Sequence, residues 1–169
     1  MTDEQSTDHS KSNGNGSGNG NASTGTKRVF MLQQLYIKDL SFEAPNTPQI
    51  FQESGIEPET ELNIRTSHVA VGENLYEVVL HIKVHAKKSD KTIFLMEMDQ
   101  AGLFAVSGYS ADQLDTLIGT QCPATLFPYA RETISSQISK GGFPPLILQP
   151  INFDALYAQA KEQQRAQQS

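Results

Sequence analysis

Along residues 76–86, Tyr76, Val78, Leu80, Ile82, Val84 and Ala86 alternate with Glu77, Val79, His81, Lys83 and His85. A period of two marks a strand with one buried face. The same alternation, shorter, sets Leu62, Ile64 and Thr66 against Glu61, Asn63 and Arg65, and Phe94, Met96 and Met98 against Leu95, Glu97 and Asp99. The intervening stretches 71–74 and 87–91 are short enough for antiparallel hairpins. An earlier run, Phe30 to Lys38, is apolar on both faces, with Phe30, Leu32 and Tyr36 against Met31, Leu35 and Ile37. It predicts a strand without fixing its register.

After Gly108 the period changes. Ser110 with Gln113 has the form of a capping box, and Leu114, Leu117 and Ile118 follow at helical spacing up to Gly119. A longer helix is expected over 124–140, with Thr125 as N-cap, Pro128 in the first turn and Gly141–Gly142 as the stop. Its apolar stripe is Phe127, Ala130, Ile134 and Ile138, and much of the rest is small and polar: Thr133, Ser135, Ser136 and Ser139. A last helix is expected from Asn152, with Ile151 and Leu156 as a staple and Phe153, Leu156, Tyr157 and Ala160 on one side. Strands first and helices after predict an α+β fold.

Composition adds boundaries. Residues 1–28 are a Gly/Asn/Ser tract that cannot bury enough apolar surface to offset the entropy of ordering, and are expected to be a disordered tail. Residues 29–163 form the domain, and 164–169, polar and Gln-rich, a second disordered tail. No run approaches the ~20 apolar residues of a membrane span, and the N-terminus lacks the apolar stretch of a secretory signal. A single cysteine, Cys122, agrees with a reducing compartment, so a cytoplasmic protein is expected. The net charge is −6 over 169 residues, and six acids with no Lys or Arg fall between Asp39 and Glu61. That sign disfavours nucleic acid as a partner.

No arrangement in the sequence carries catalysis. Cys122 has no histidine placed beside it and reads as an inert buried thiol. His81 and His85 share a strand face but stand about 13 Å apart, too far for one metal ion. Arg131 and Glu132 are about 100° apart around a helix and do not face each other. No phosphate loop, nucleophile elbow or zinc-protease motif occurs. Neither cofactor nor metal is expected. Binding is suggested instead by the loop from Glu43 to Glu59, which carries Ile50, Phe51 and Ile56 among three prolines and a glycine.

Four stretches, KDLSFEAPNTPQIF (38–51), NLYEVVLHIKV (74–84), LFPYARETI (126–134) and FPPLILQPINFDALY (143–157), resemble the SecB family of bacterial protein-export chaperones. The resemblance runs in order from about Phe30 to Gln163. It implies a four-stranded antiparallel sheet followed by a long helix and a C-terminal helix, assembling as a tetramer, a dimer of dimers. It implies an ATP-independent holdase that keeps non-native precursors export-competent in the cytoplasm and delivers them to the translocation motor SecA.

Carried onto this sequence, the SecA-docking positions are Asp39, Glu43, Leu95 and Glu97, and their partner is the basic, zinc-carrying C-terminal tail of SecA. The inter-subunit region falls on Met96, Met98 and Gln100, and the client groove on Phe51, Ile56, Phe153 and Tyr157. Ile56 stands where family members often carry tryptophan. Two other readings are an antidote or adaptor built on the same fold, and a thioesterase-like hydrolase. The first is compatible with the resemblance, although retention of all four docking positions favours export. The second lacks an acid or histidine set against a cavity.

Overall fold

The computed structural model describes residues 27–53, 55 and 57–167. Four strands, β1 (Val29–Glu43), β2 (Glu59–Gly72), β3 (Leu75–Lys88) and β4 (Lys91–Ser107), precede three helices, α1 (Ala111–Gly119), α2 (Gln121–Lys140) and α3 (Phe153–Gln167). The strands form one antiparallel sheet in the order β1-β4-β3-β2. Two tight hairpins join β2 to β3 and β3 to β4, and their left-handed positions fall on Asn74 and Ser89. Asparagine tolerates that backbone region better than most residues.

The two-sided apolar pattern of β1 has a register explanation. Its pairing with β4 shifts between Leu32 and Gln34, and again between Ile37 and Asp39. Each bulge reverses which parity faces the helices. Leu32 opposite Phe104, Leu35 opposite Gly102, and Leu40 and Phe42 opposite Met98 and Met96 therefore all fall on the helix side.

That side is the core. Val78, Leu80, Ile82, Val84, Phe94, Met96, Met98, Phe104 and Val106 of the sheet pack with Leu126, Phe127, Ala130, Ile134 and Ile138 of α2. The stripe expected for the long helix is thus the buried one, extended by Cys122 and Leu126. The approach is close at Gly102, where a Cβ would lie 2.7 Å from Cδ2 of Leu126. Among the described residues, no helix covers the other side of the sheet.

Three sequence expectations change at the helices. The capping box forms, with Ser110 Oγ accepting from Gln113 N and Gln113 Oε1 accepting from Ser110 N. However, α2 starts at Gln121, and the Thr125 hydroxyl donates to the carbonyl of Gln121 (2.8 Å) instead of capping. Pro128 therefore lies inside the helix, where it has no N–H to give the usual bond to the Ala124 carbonyl. Asn152 caps α3 by accepting from Ala155 N (3.0 Å). Residues 164–167, expected within a disordered tail, are helical, while residues 1–26 of the expected N-terminal tail lie outside the described residues.

Between β1 and β2 the proline-rich connection passes the β3–β4 hairpin. It is pinned by Asn46 Nδ2 donating to the Thr92 carbonyl (2.7 Å), by the Lys91–Glu53 ion pair, and by Ile50, which enters the core.

Candidate functional site

The uncovered sheet face is best described row by row from the strand register. In β2-β3-β4-β1 order, successive rows read Arg65–His81–Asp99–Asp39, Asn63–Lys83–Glu97–Ser41 and Glu61–His85–Leu95–Glu43. Directly opposite residues have Cβ atoms about 5 Å apart. Asp39, Glu43, Leu95 and Glu97 thus gather within three adjacent rows on β1 and β4, although the sequence separates the two pairs widely.

Basic side chains of β3 line the inner side of this cluster. Lys83 Nζ lies 2.6 Å from Glu97 Oε1, and His81 Nδ1 lies 2.6 Å from Asp99 Oδ1. Further along, Glu77 accepts from Lys38 and Tyr36 (2.7 and 2.5 Å), which hold its carboxyl below the usual range, Lys38 most strongly. The same contact, with burial, pushes the Tyr36 hydroxyl up to about 12.

His81 also meets Ser67, with Nε2 2.7 Å from Oγ. Asp99 only accepts, so the ring donates from Nδ1, which orients Nε2 toward the serine hydroxyl. The order Ser67–His81–Asp99 is that of a hydrolase triad. Here it stands on an open sheet face, where the backbone amides of the paired strands are directed along the plane of the sheet. Its effect is to tie β2, β3 and β4 together.

A second surface lies between β2 and α3. A groove of about 570 Å³ is lined by Ile64, Phe153, Leu156 and Tyr157, with Asp115, Lys161 and His68 among its polar residues. Phe153 is buried edge-on against Phe127 (5.9 Å between ring centres). Tyr157 donates its hydroxyl to Asp115 Oδ2 (2.5 Å), which also receives Lys161 Nζ (2.6 Å). These two partners, Lys161 foremost, hold the Asp115 carboxyl below its ordinary range.

Of the expected groove residues that are described, Phe153 and Tyr157 share this groove. Phe51 lies apart, exposed on one side and packed against Phe143 (5.3 Å), which also meets Phe42 and Phe94. Ile56 lies outside the described residues. Sequence reading missed Ile64 and Asp115 as lining residues. Leu156 was legible as a staple and as a member of the helix's apolar side, but not as a lining residue, because exposure along a helix depends on what packs against it.

Met96, Met98 and Gln100 are 1%, 1% and 3% exposed in the single chain. The methionines lie in the chain's own core. Gln100 Nε2 donates to the Tyr36 carbonyl (2.9 Å). It also lines a groove of about 530 Å³ between β1 and α2, with Leu35, Ile37, Pro128, Tyr129 and Glu132. Ile37 and Tyr129 are exposed there.

Among the described residues, no cluster of three or more His, Cys, Asp or Glu could hold a metal ion, and no helix is long and apolar enough to cross a membrane.

A four-stranded antiparallel sheet followed by helices packed on one face is a SecB-like fold. It is shared with the SecB-like chaperone of Mycobacterium tuberculosis solved in complex with a ChAD peptide from the HigA1 antitoxin. That likeness has a TM-score of 0.61 at 15% identity and covers 72% of this chain and 90% of that one.

The family model described as preprotein translocase subunit SecB matches residues 23–164. The protein-export protein SecB of Nitrosococcus oceani is 48% identical over 143 residues, covering 84% of this chain and 87% of the relative. That of Hahella chejuensis is 50% identical over 141 residues, covering 83% and 88%. The chain belongs to the SecB family and is a protein-export chaperone.

Proposed function

We propose that this chain is an ATP-independent cytoplasmic holdase that works as a homotetramer, keeps precursors unfolded, and hands them to SecA through the bare face of its sheet. The observation that carries the proposal is the convergence of Asp39, Glu43, Leu95 and Glu97 on that face. An acidic cluster beside one apolar side chain suits the basic, zinc-carrying tail of SecA. Clients occupy the groove of Ile64, Phe153, Leu156 and Tyr157 and extend toward the Phe51–Phe143 aromatics. Apolar contact yields roughly 25 cal/mol per Å² buried without reading sequence, which suits a binder of many chains. Spreading one client over several subunits adds avidity through effective concentration. The exposed Ile37 and Tyr129 beside α2 support assembly through that groove.

The test is a titration with a permanently unfolded polypeptide and with its folded form, the mass of each complex read by light scattering. Binding of the unfolded chain alone, by a species four subunits in mass, is expected. No binding, or a monomer at micromolar concentration, would sink the holdase reading. Replacing Asp39, Glu43 and Glu97 by lysine should abolish binding of the SecA tail. Unchanged binding would remove the docking assignment.

A further inference from the structure

The bare face is dipolar across its strands. Asp39, Glu43, Glu97 and Asp99 lie on β1 and β4, while His81, Lys83, His85 and Lys87 form a column on the neighbouring β3. Within that column Lys83 is distinctive. The register sets it directly opposite Glu97, and its ammonium closes on that carboxylate at 2.6 Å. Lys87 turns the other way, to Glu61 on β2. Asp39 and Glu43 have no ion-pair partner among the described residues. Among the described residues, Glu97 alone of the three carboxylates assigned to docking is already opposed by a cation of its own chain.

We infer that Lys83 is an internal competitor that sets how tightly a basic segment docks on this face. The inference rests on the docking reading above and deepens it. An incoming lysine or arginine must take Glu97 from Lys83. The Lys83 side chain is 50% exposed on a flexible stem, so it can swing aside. Once displaced it stays within a Debye length, about 8 Å at physiological salt, and repels the cation that replaced it. Lys83→Gln removes both effects and leaves Glu97 in place. An exposed pair of this kind corresponds to a factor of about two to five in an equilibrium constant.

The experiment titrates the full chain with the C-terminal tail of SecA by calorimetry, at low and high salt. Four variants are compared: K83Q, K87Q, E97Q and K83Q/E97Q. K83Q and K87Q lose the same charge, but only K83Q frees Glu97. K83Q is expected to tighten binding about two- to fivefold at low salt, K87Q to change it much less, and the double variant to behave as E97Q does. Weaker binding in K83Q, or equal effects of K83Q and K87Q, overturns the competitor role while leaving the docking face intact. No loss of binding in E97Q overturns the docking reading and the role of Lys83 with it.

Discussion

Gly119 lies directly under the ring of Tyr157: a Cβ at Gly119 would come within 2.3 Å of Tyr157 Cδ2. The ring cannot slide away freely, because its hydroxyl is held by Asp115 of the same α1 helix. Gly119→Ala is therefore expected to lift α3 off α1 at a cost of about 1–3 kcal/mol. Amide hydrogen exchange should rise in α3 and not in β3 or β4. Unchanged exchange in α3 would show that the contact does not seat that helix.

The Asp115 carboxyl is held down in the folded state by Lys161 and Tyr157. Its folded value is below the unfolded one, so its contribution is present above the unfolded value near 4 and is lost as pH falls through the lower folded value. Asp115→Asn should therefore flatten the acid limb of thermal stability below about pH 4. Near neutral pH it should lower stability slightly, since the side chain is 42% exposed and screened. An unchanged slope in that acid window would exclude Asp115 as a contributor.

Cys122 is fully buried on α2, and burial pushes its thiol up to about 12. At pH 8 its thiolate fraction is about a thousandfold lower than that of a free thiol. Labelling by iodoacetamide should be negligible in the native protein and normal in denaturant. Rapid native labelling would mean that the α2–sheet packing opens often.

Phe153 and Leu156 line the same groove but differ in burial, and so should differ in effect. Phe153→Ala removes a ring packed on Phe127 and should cost about 3–5 kcal/mol of stability. Leu156→Ala, at an exposed position, should leave the melting temperature within a few degrees and weaken binding of an unfolded polypeptide. Equal affinity in Leu156→Ala would move the client contact away from this part of α3.

Ile37 and Tyr129 are exposed on either side of the β1–α2 groove. If that groove is closed by another subunit, Ile37→Asp buries an unpaired charge and should shift the mass toward smaller assemblies, with secondary structure retained. A mass unaffected by Ile37→Asp at micromolar concentration would place the subunit contact elsewhere.

Much of this protein was settled by its sequence. The alternation in 76–86 defined β3 because a period of two cannot sit on a helix. Ser110 and Gln113 defined the start of α1 through a local pair of hydrogen bonds, and the stripe of Phe127, Ala130, Ile134 and Ile138 defined the buried side of α2. The resemblance in four stretches fixed the family.

Tertiary structure decided what depends on register and cover. Two bulges in β1 reverse its parity, and no sequence period announces where an extra residue is accommodated. The convergence of Asp39 and Glu43 with Leu95 and Glu97 is a pairing between strands far apart in the chain, as is the seating of Lys83 against Glu97. Met96 and Met98 showed only their spacing in the sequence; the packing of α2 over them made them core. Local periodicity says which residues share a face. Only the assembled fold says whether that face meets a helix, another chain or water.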